Sequence, residues 1–228
     1  MIMQNVNTQY TIQITSLYQV NKVTSQEEEF AQYLGISESS LKLVNEIVAN
    51  CGVSPFPYSI DSNDDIHLDY TPKNWNAIEI RAIGNLARFL EKHTIQTAEG
   101  KNGIKCYDGA KTTFVPTHPD IKEVFKFYPT NGVFLAEKAA QDKLGTTGLQ
   151  DLAVYHSEWD SDAQTCISEK CEKKWTEEAY MEIQGALATK NLICGDIAHG
   201  DNIGLAKRKG EYAYVIFDIK SIKPIKLD

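Results

Sequence analysis

Two acidic residues and one amide near the end of the chain have types and spacing that suit metal-assisted phosphate chemistry. Asp196 lies in the segment CGDIAHGDN, Asn202 follows six residues later, and Asp218 ends the apolar run YVIF. Carboxylate and amide oxygens delivered by a loop and by the end of a neighbouring strand can hold Mg²⁺ against a nucleoside triphosphate. Phosphoryl transfer is therefore the first hypothesis for this sequence.

The elements that must position these side chains are short strands mixed with helices. Runs rich in β-branched and aromatic residues predict strands at TTFVPT, EVFKFY, LAVYHS, TCISEK and YAYVIFD. Two stretches with helical spacing, residues 133–144 and 176–190, interrupt them. This order of elements predicts an α+β fold.

Residues 1–95 have a different character and are predicted to be mainly helical, although residues 5–20 alternate enough for one or two strands. Ser25 and Ser37 are of the helix-capping type, and residues 74–92 carry a wide apolar stripe. The small polar stretch 94–103 predicts a boundary. We therefore expect a helical region over 1–95, a candidate for partner binding, and a nucleotide-binding region over 96–228.

Charge and composition narrow the classes of partner. The net charge is −8, and the first 100 residues carry 6 Lys and Arg against 12 Asp and Glu, a net charge of −6. An acidic surface disfavours nucleic acid and favours a protein partner with a basic surface. The chain contains neither a secretory signal nor an apolar run long enough to span a membrane, so we expect no membrane partner and a cytoplasmic location.

Five scattered cysteines, an odd number, predict reduced thiols.

Four further motifs precede these acidic residues in the chain: a hairpin, a strand with a lysine, a helix with a glutamate and a second strand. CYDGAKTTFVPT looks like a hairpin that covers a nucleotide, with Gly109 at its turn, and VFKF places Lys126 on the strand that follows. The helix GVFLAEKAAQDKL offers Glu137 as an ion-pair partner for that lysine. TCISEKC is similar to a strand and hinge, in which Glu169 to Cys171 would give backbone contacts to adenine.

Taken together, residues 101–218 resemble a very small protein kinase, of the reduced kind found in bacteriophages and in some bacterial effectors. The resemblance implies a truncated bilobal kinase-like domain that uses ATP and Mg²⁺ and transfers phosphate to a Ser, Thr or Tyr hydroxyl of a protein. It implies Asp196 as the catalytic aspartate, with Asn202 and Asp218 as metal ligands. Asp201 is the alternative ligand, because Asn202 lies six residues after Asp196 where the family has five. For a phage or effector protein, the implied location is the host cytoplasm.

Departures from the kinase pattern leave two other hypotheses open. The hairpin has one clear glycine, Cys194–Gly195 replaces His-Arg, Ile219–Lys220 replaces Phe-Gly, and only ten residues follow Asp218. A non-catalytic partner-binding or inhibitory module, resembling a pseudokinase, is the first alternative. The second is a Mg²⁺-dependent nuclease that uses Asp201, Asp218 and Lys220.

Overall fold

The structure is a computed structural model that describes residues 25–51, 54–101, 103–198 and 202–225. The strands expected within residues 5–20 lie outside the described residues. The described part is a mixture of helices and antiparallel sheets, which confirms the predicted α+β class.

Two short helices begin at the capping residues that the sequence predicts. Helix α1 spans Gln26–Leu34, and the Ser25 hydroxyl accepts a hydrogen bond from its first turn. Gly35 ends it with φ 69°, a conformation in which a side chain would be strained. Helix α2 spans Glu38–Asn50 and is capped in the same way by Ser37.

The third helix begins slightly later than predicted. Helix α3 spans Ala77–Lys92, because Asn76 and Glu79 form a reciprocal capping box and Pro72–Asn74 form a separate 3₁₀ turn. Between α2 and α3, strands β1 (Tyr58–Ile60) and β2 (Ile66–Leu68) form a small antiparallel hairpin that the sequence analysis did not predict.

A five-stranded antiparallel sheet follows, with one helix inserted after its third strand. The strands pair in the order β3-β4-β5-β7-β6, and helix α4 connects β5 to β6. These elements are β3 (Ile104–Tyr107), β4 (Thr112–Pro116), β5 (Glu123–Phe127), α4 (Asn131–Thr147), β6 (His156–Asp160) and β7 (Thr165–Glu169). Strand β5 is therefore central, paired with β4 on one side and β7 on the other.

The remaining elements form smaller sheets around one helix. They are β8 (Glu172–Lys173), α5 (Glu177–Ala188), β9 (Leu192–Cys194), β10 (Ile203–Arg208), β11 (Glu211–Ile216) and β12 (Ile222–Pro224). Strands β11, β10 and β8 form one antiparallel sheet, and β12 pairs with β9. A separate apolar cluster, which includes Ile183, Leu187, Ile203 and Ile216, packs these elements together.

The largest hydrophobic core joins helices α1–α3 to one face of the five-stranded sheet. Phe56 stacks on Phe127 with ring centroids 5.0 Å apart, and Phe89 lies 5.8 Å from Phe125. The core therefore includes residues from both sides of the boundary expected near residue 95.

One prediction about the cysteines is wrong. Cys51 at the end of α2 and Cys106 on β3 form a disulfide, with Cα atoms 5.3 Å apart. The pairing joins residues 55 positions apart, so their sequence neighbourhoods give no sign of it. The other three cysteines, Cys166, Cys171 and Cys194, are free thiols, as expected.

Candidate functional site

A cavity of about 660 Å³ lies between the five-stranded sheet and the β10–β11 hairpin. Its wall includes seven of the residues that the sequence analysis singled out: Gly109, Lys126, Glu169, Cys171, Asn202, Asp218 and Lys220. Segments more than 100 residues apart in the chain thus meet at one cavity.

Strand alternation turns Lys126 toward this cavity. Its neighbours Phe125 and Phe127 belong to the core shared with helices α1–α3, so Lys126 points to the opposite face of the sheet. The Lys126 ammonium lies 3.1 Å from Glu137 Oε1 and donates to the Phe217 carbonyl at 3.0 Å. Burial acts to lower the pKa of Lys126, but Glu137, Cys166 and Asp218 together outweigh it, so that the pKa is raised.

Glu137 of α4 is fully buried and lies between two lysines. Its Oε1 faces Lys126, and its Oε2 lies 2.5 Å from the ammonium of Lys111. Burial alone would raise the pKa of Glu137, but Lys126, His156 and Lys111 together hold it well below its ordinary value. The carboxylate is therefore charged at neutral pH and fixes both lysines.

His156, at the start of β6, completes this buried cluster. Its Nε2 lies 3.1 Å from both Glu137 Oε1 and Lys126 Nζ, and its ring stacks on Trp159 with centroids 5.2 Å apart. Burial and the adjacent Lys126 lower the pKa of His156 to about 4, so the ring is neutral at pH 7. Nδ1 has no hydrogen-bond partner. An unpaired acceptor is less costly there than an unpaired N–H, which favours the tautomer whose Nε2–H donates to Glu137.

Asp218 follows β11 and faces the cavity from the side opposite the sheet. Its carboxylate lies 3.0 Å from the Lys111 ammonium and 3.2 Å from that of Lys220. The contact with Lys111 lacks hydrogen-bond geometry, so the buried Oδ1 atom has no hydrogen-bond partner. Because Lys126 holds the carbonyl of Phe217, the strand end that carries Asp218 is tied to the central strand of the sheet.

The loop between β9 and β10 places Asn202 in the wall of the cavity and Asp196 beside it. The Asn202 side-chain amide donates to the Asp196 carbonyl at 3.2 Å, and Ser221 Oγ accepts from the Asp196 N–H at 3.3 Å. Asp196 is half-buried and is not part of the cavity wall. Asp201, the alternative metal ligand, lies outside the described residues.

The segment from Ser168 to Cys171 forms the other end of the cavity. The Glu169 carboxylate receives two hydrogen bonds from Arg208, at 3.0 and 2.9 Å, so its side chain has a structural role there. A Cβ atom on Gly204 would lie 2.7 Å from Cys171 Sγ and from the Glu172 carbonyl oxygen, so β10 approaches this segment as closely as glycine permits. Ser168 is buried and its hydroxyl has no hydrogen-bond partner.

The fit of Mg²⁺ depends on Asp218 and Asn202. Both line the cavity, and Asp218 Oδ1 is a buried oxygen without a hydrogen bond, as expected of an atom that can accept a cation. Mg²⁺ commonly binds through one or two protein oxygens together with phosphates and water, which this pair can supply. Within the described residues, no group of three or more His, Cys, Asp and Glu side chains has the arrangement of a metal site.

Sequence reasoning missed two residues that contact this cluster, Lys111 and His156, and it named Lys220 only for the nuclease alternative. Lys111 had a readable signal. Thr113 pairs with Lys126 across the sheet, and Lys111, Thr113 and Val115 all line the cavity at every second position. Extending this period of two backwards from Val115 would have placed Lys111 on the cavity face.

Comparison of the chain with known proteins leaves its family open. No family model, curated protein or solved structure matches it. None of the helices in the described ranges has the length and hydropathy of a membrane span.

Proposed function

We propose that this protein binds Mg-ATP in the cavity and transfers its terminal phosphate to a protein hydroxyl, as a minimal protein kinase. One observation carries the proposal: Lys126 is ion-paired with Glu137 and hydrogen-bonded to the residue before Asp218, at the wall of one cavity. In protein kinases, a lysine on the third strand pairs with a glutamate of the next helix, close to the metal-binding aspartate. Here β5 is the third strand of its sheet and α4 is the helix that follows.

The two ends of the cavity differ in a way that suits a nucleotide. Val115 and Val124 contribute apolar surface, and the unpaired Ser168 hydroxyl lies next to the segment that ends at Cys171. Aromatic bases are commonly held between apolar side chains, with a few polar groups for orientation. We therefore place the base at the Ser168 end.

The triphosphate belongs at the end that carries the lysines. Lys126, fixed by Glu137, gives positive charge to the wall, and Asn202 and Asp218 are the residues that would hold Mg²⁺. The metal, when bound, neutralises the charge that develops on the phosphate oxygens. Asp196 lies next to Asn202, outside the wall, where it would orient the acceptor hydroxyl and accept its proton late in the transfer.

Two measurements test the proposal. Calorimetric titration with Mg-ATP should show binding, and incubation with radiolabelled ATP should label either the protein itself or a protein in a lysate. The D218N variant should lose at least about a hundred-fold in transfer, because the metal position is weakened. D162N, which changes an exposed carboxylate bound to Arg81, is the matched control and should retain the activity. Absence of Mg-ATP binding would overturn the proposal.

A second candidate function is nucleotide or partner binding without transfer. It is favoured by the two ion pairs that Asp218 makes with Lys111 and Lys220, since these cations compete with a metal for the same carboxylate. Mg-ATP binding without any labelled product would support this pseudokinase-like alternative. Mg²⁺-dependent cleavage of DNA would instead indicate the nuclease. That the phosphate acceptor is a protein hydroxyl, and that the protein works in the cytoplasm, are both predictions.

A further inference from the structure

The cavity has more positive than negative charge. Its charged residues are five lysines against four carboxylates, with Glu137 behind the wall: Lys111, Lys126, Lys170, Lys173 and Lys220 against Asp108, Glu169, Asp218 and Glu137. Since the neighbouring His156 ring is neutral at pH 7, five positive and four negative charges leave a net charge of +1. Such a cluster is suited to an anion even before a metal is added.

Lys126 has little capacity left to hold that anion. An ammonium group has three N–H donors. One donates to Glu137 Oε1 and another to the Phe217 carbonyl. The Lys126 side chain is only 4% exposed, less than half the 9% of Lys111. Two of its three donors are therefore used by protein acceptors, and little of the ammonium group faces the cavity.

Lys111 has donors to spare. It makes one hydrogen bond, to Glu137 Oε2, and its contact with Asp218 lacks hydrogen-bond geometry. It is carried by the β3–β4 hairpin, whose residues from Tyr107 to Lys111 line the cavity. A phosphate in the cavity can therefore accept from Lys111 while Glu137 continues to hold the ammonium.

Lys111 also removes an obstacle to binding. The Asp218 carboxylate would repel a polyphosphate, but the Lys111 and Lys220 ammonium groups lie 3.0 and 3.2 Å from it. Opposite charges at that separation largely cancel the repulsion at the site of the ligand. The Lys111 ammonium thus neutralises the Asp218 carboxylate, a task for which a metal ion would otherwise be needed when a polyphosphate binds.

We propose that Lys111 is the main phosphate-binding lysine of this cavity, that it holds a triphosphate without a divalent cation, and that Lys126 is a positioning residue. Lys126 acts through Glu137 and the Phe217 carbonyl, which fix Lys111 and the backbone next to Asp218. This inference rests on the proposed function for the class of ligand, but it concerns binding and not transfer.

The test is calorimetry in EDTA with three ligands: inorganic triphosphate, ATP and adenosine. The wild-type protein should bind triphosphate and ATP without metal. K111Q should weaken both by about ten-fold or more, because it removes a charge-assisted hydrogen bond, and should leave adenosine affinity within about two-fold. K111R should recover most of the loss. K209Q, at a lysine whose side chain is 90% exposed, is the matched control and should behave as wild type.

Each of the other outcomes is decisive. If K111Q binds ATP and triphosphate as tightly as wild type, or more tightly, the lysine does not hold phosphate and this inference fails while the proposed function stands. If the wild-type protein binds ATP only with Mg²⁺, metal-independent binding is wrong. If it binds ATP under neither condition, both proposals fail.

A second measurement uses the wild-type protein alone and does not depend on the folding of a variant. Lysine acetylation followed by mass spectrometry should show that triphosphate protects Lys111 in EDTA. Lys209 should be modified equally with and without the ligand. Unchanged modification of Lys111 at saturating triphosphate would contradict its role.

Discussion

Lys126 donates a hydrogen bond to the carbonyl of Phe217, 91 residues later in the chain, at 3.0 Å. This bond joins the central strand of the five-stranded sheet to the end of β11. The same ammonium contacts Glu137 of α4, so three elements converge on one buried charge. The geometry of the cavity therefore depends on a few electrostatic contacts as well as on apolar packing.

Removing the charge of Glu137 should destabilise the protein strongly. In E137Q, the buried ammonium groups of Lys111 and Lys126 lose the carboxylate that they share. Breaking a buried pair from one side costs about 3–5 kcal/mol. Urea unfolding measures the change, and E38Q, at an exposed helical ion pair with Lys42, should change the free energy of unfolding by less than about 1 kcal/mol. Equal effects of the two substitutions would show that Glu137 does not hold the cluster together.

The D196N variant should separate binding from transfer. Asp196 lies beside Asn202 but outside the cavity wall, so the affinity for Mg-ATP should stay within about two-fold of wild type. The rate of phosphate transfer should fall by roughly 10²-fold or more, as expected for loss of a general base. Calorimetry and a labelling assay on the same preparation check both parts. A parallel fall in affinity and rate would place Asp196 in the nucleotide site instead.

Stability should fall on acidification because His156 is buried in its neutral form. Its pKa is about 4 in the folded protein against 6.5 ordinarily, so the unfolded state binds the proton first. The contribution of neutral His156 to the free energy of unfolding is fully present above pH 6.5. About 3 kcal/mol of it is lost as the pH falls from 6.5 to 4. The loss with falling pH should be smaller in H156Q over that window, as measured by urea unfolding at a series of pH values. Parallel pH curves for the two proteins would contradict the assignment.

Gly204 should not tolerate even one added carbon. In G204A, the Cβ atom meets Cys171 Sγ and the Glu172 carbonyl oxygen at 2.7 Å, so β10 must move away from the segment that lines the cavity. We expect a loss of about 1–3 kcal/mol in the free energy of unfolding, together with weaker nucleotide binding. G185A is the control, since nothing lies within 4 Å of a Cβ atom at Gly185 on α5. Calorimetry and urea unfolding of both variants check the expectation, and equal stability of the two would refute it.

Local patterns predicted the helices of this fold and the strands of its largest sheet, but not strands β1, β2, β9 and β12. Ser25 and Ser37 cap α1 and α2, and the apolar stripe of α3 is buried as its spacing indicates. Strand LAVYHS was placed too early, because residues 150–152 form a 3₁₀ turn and β6 begins only at His156. Capping and periodicity depend on nearby residues, which explains why they can be read from sequence.

The candidate site was only partly predictable. The kinase resemblance implied that Lys126, Glu137, Asn202 and Asp218 lie near one another, and three of them line one cavity while Glu137 pairs with Lys126 behind its wall. Their roles stay predictions. The bridge from Lys111 to Glu137 and Asp218, and the disulfide between Cys51 and Cys106, depend on contacts between distant segments. Composition and periodicity carry no information on such pairings.

The aromatic packing between the helices and the sheet has a consequence for any attempt to shorten the chain. Phe114, Phe125, Phe127 and Ile167 bury their side chains with α1–α3, on the face of the sheet opposite Lys126. A fragment that starts at residue 96 would expose this apolar face of the sheet to water. A large exposed apolar surface promotes aggregation. A fragment intended to stay in solution by itself should therefore include helices α1–α3.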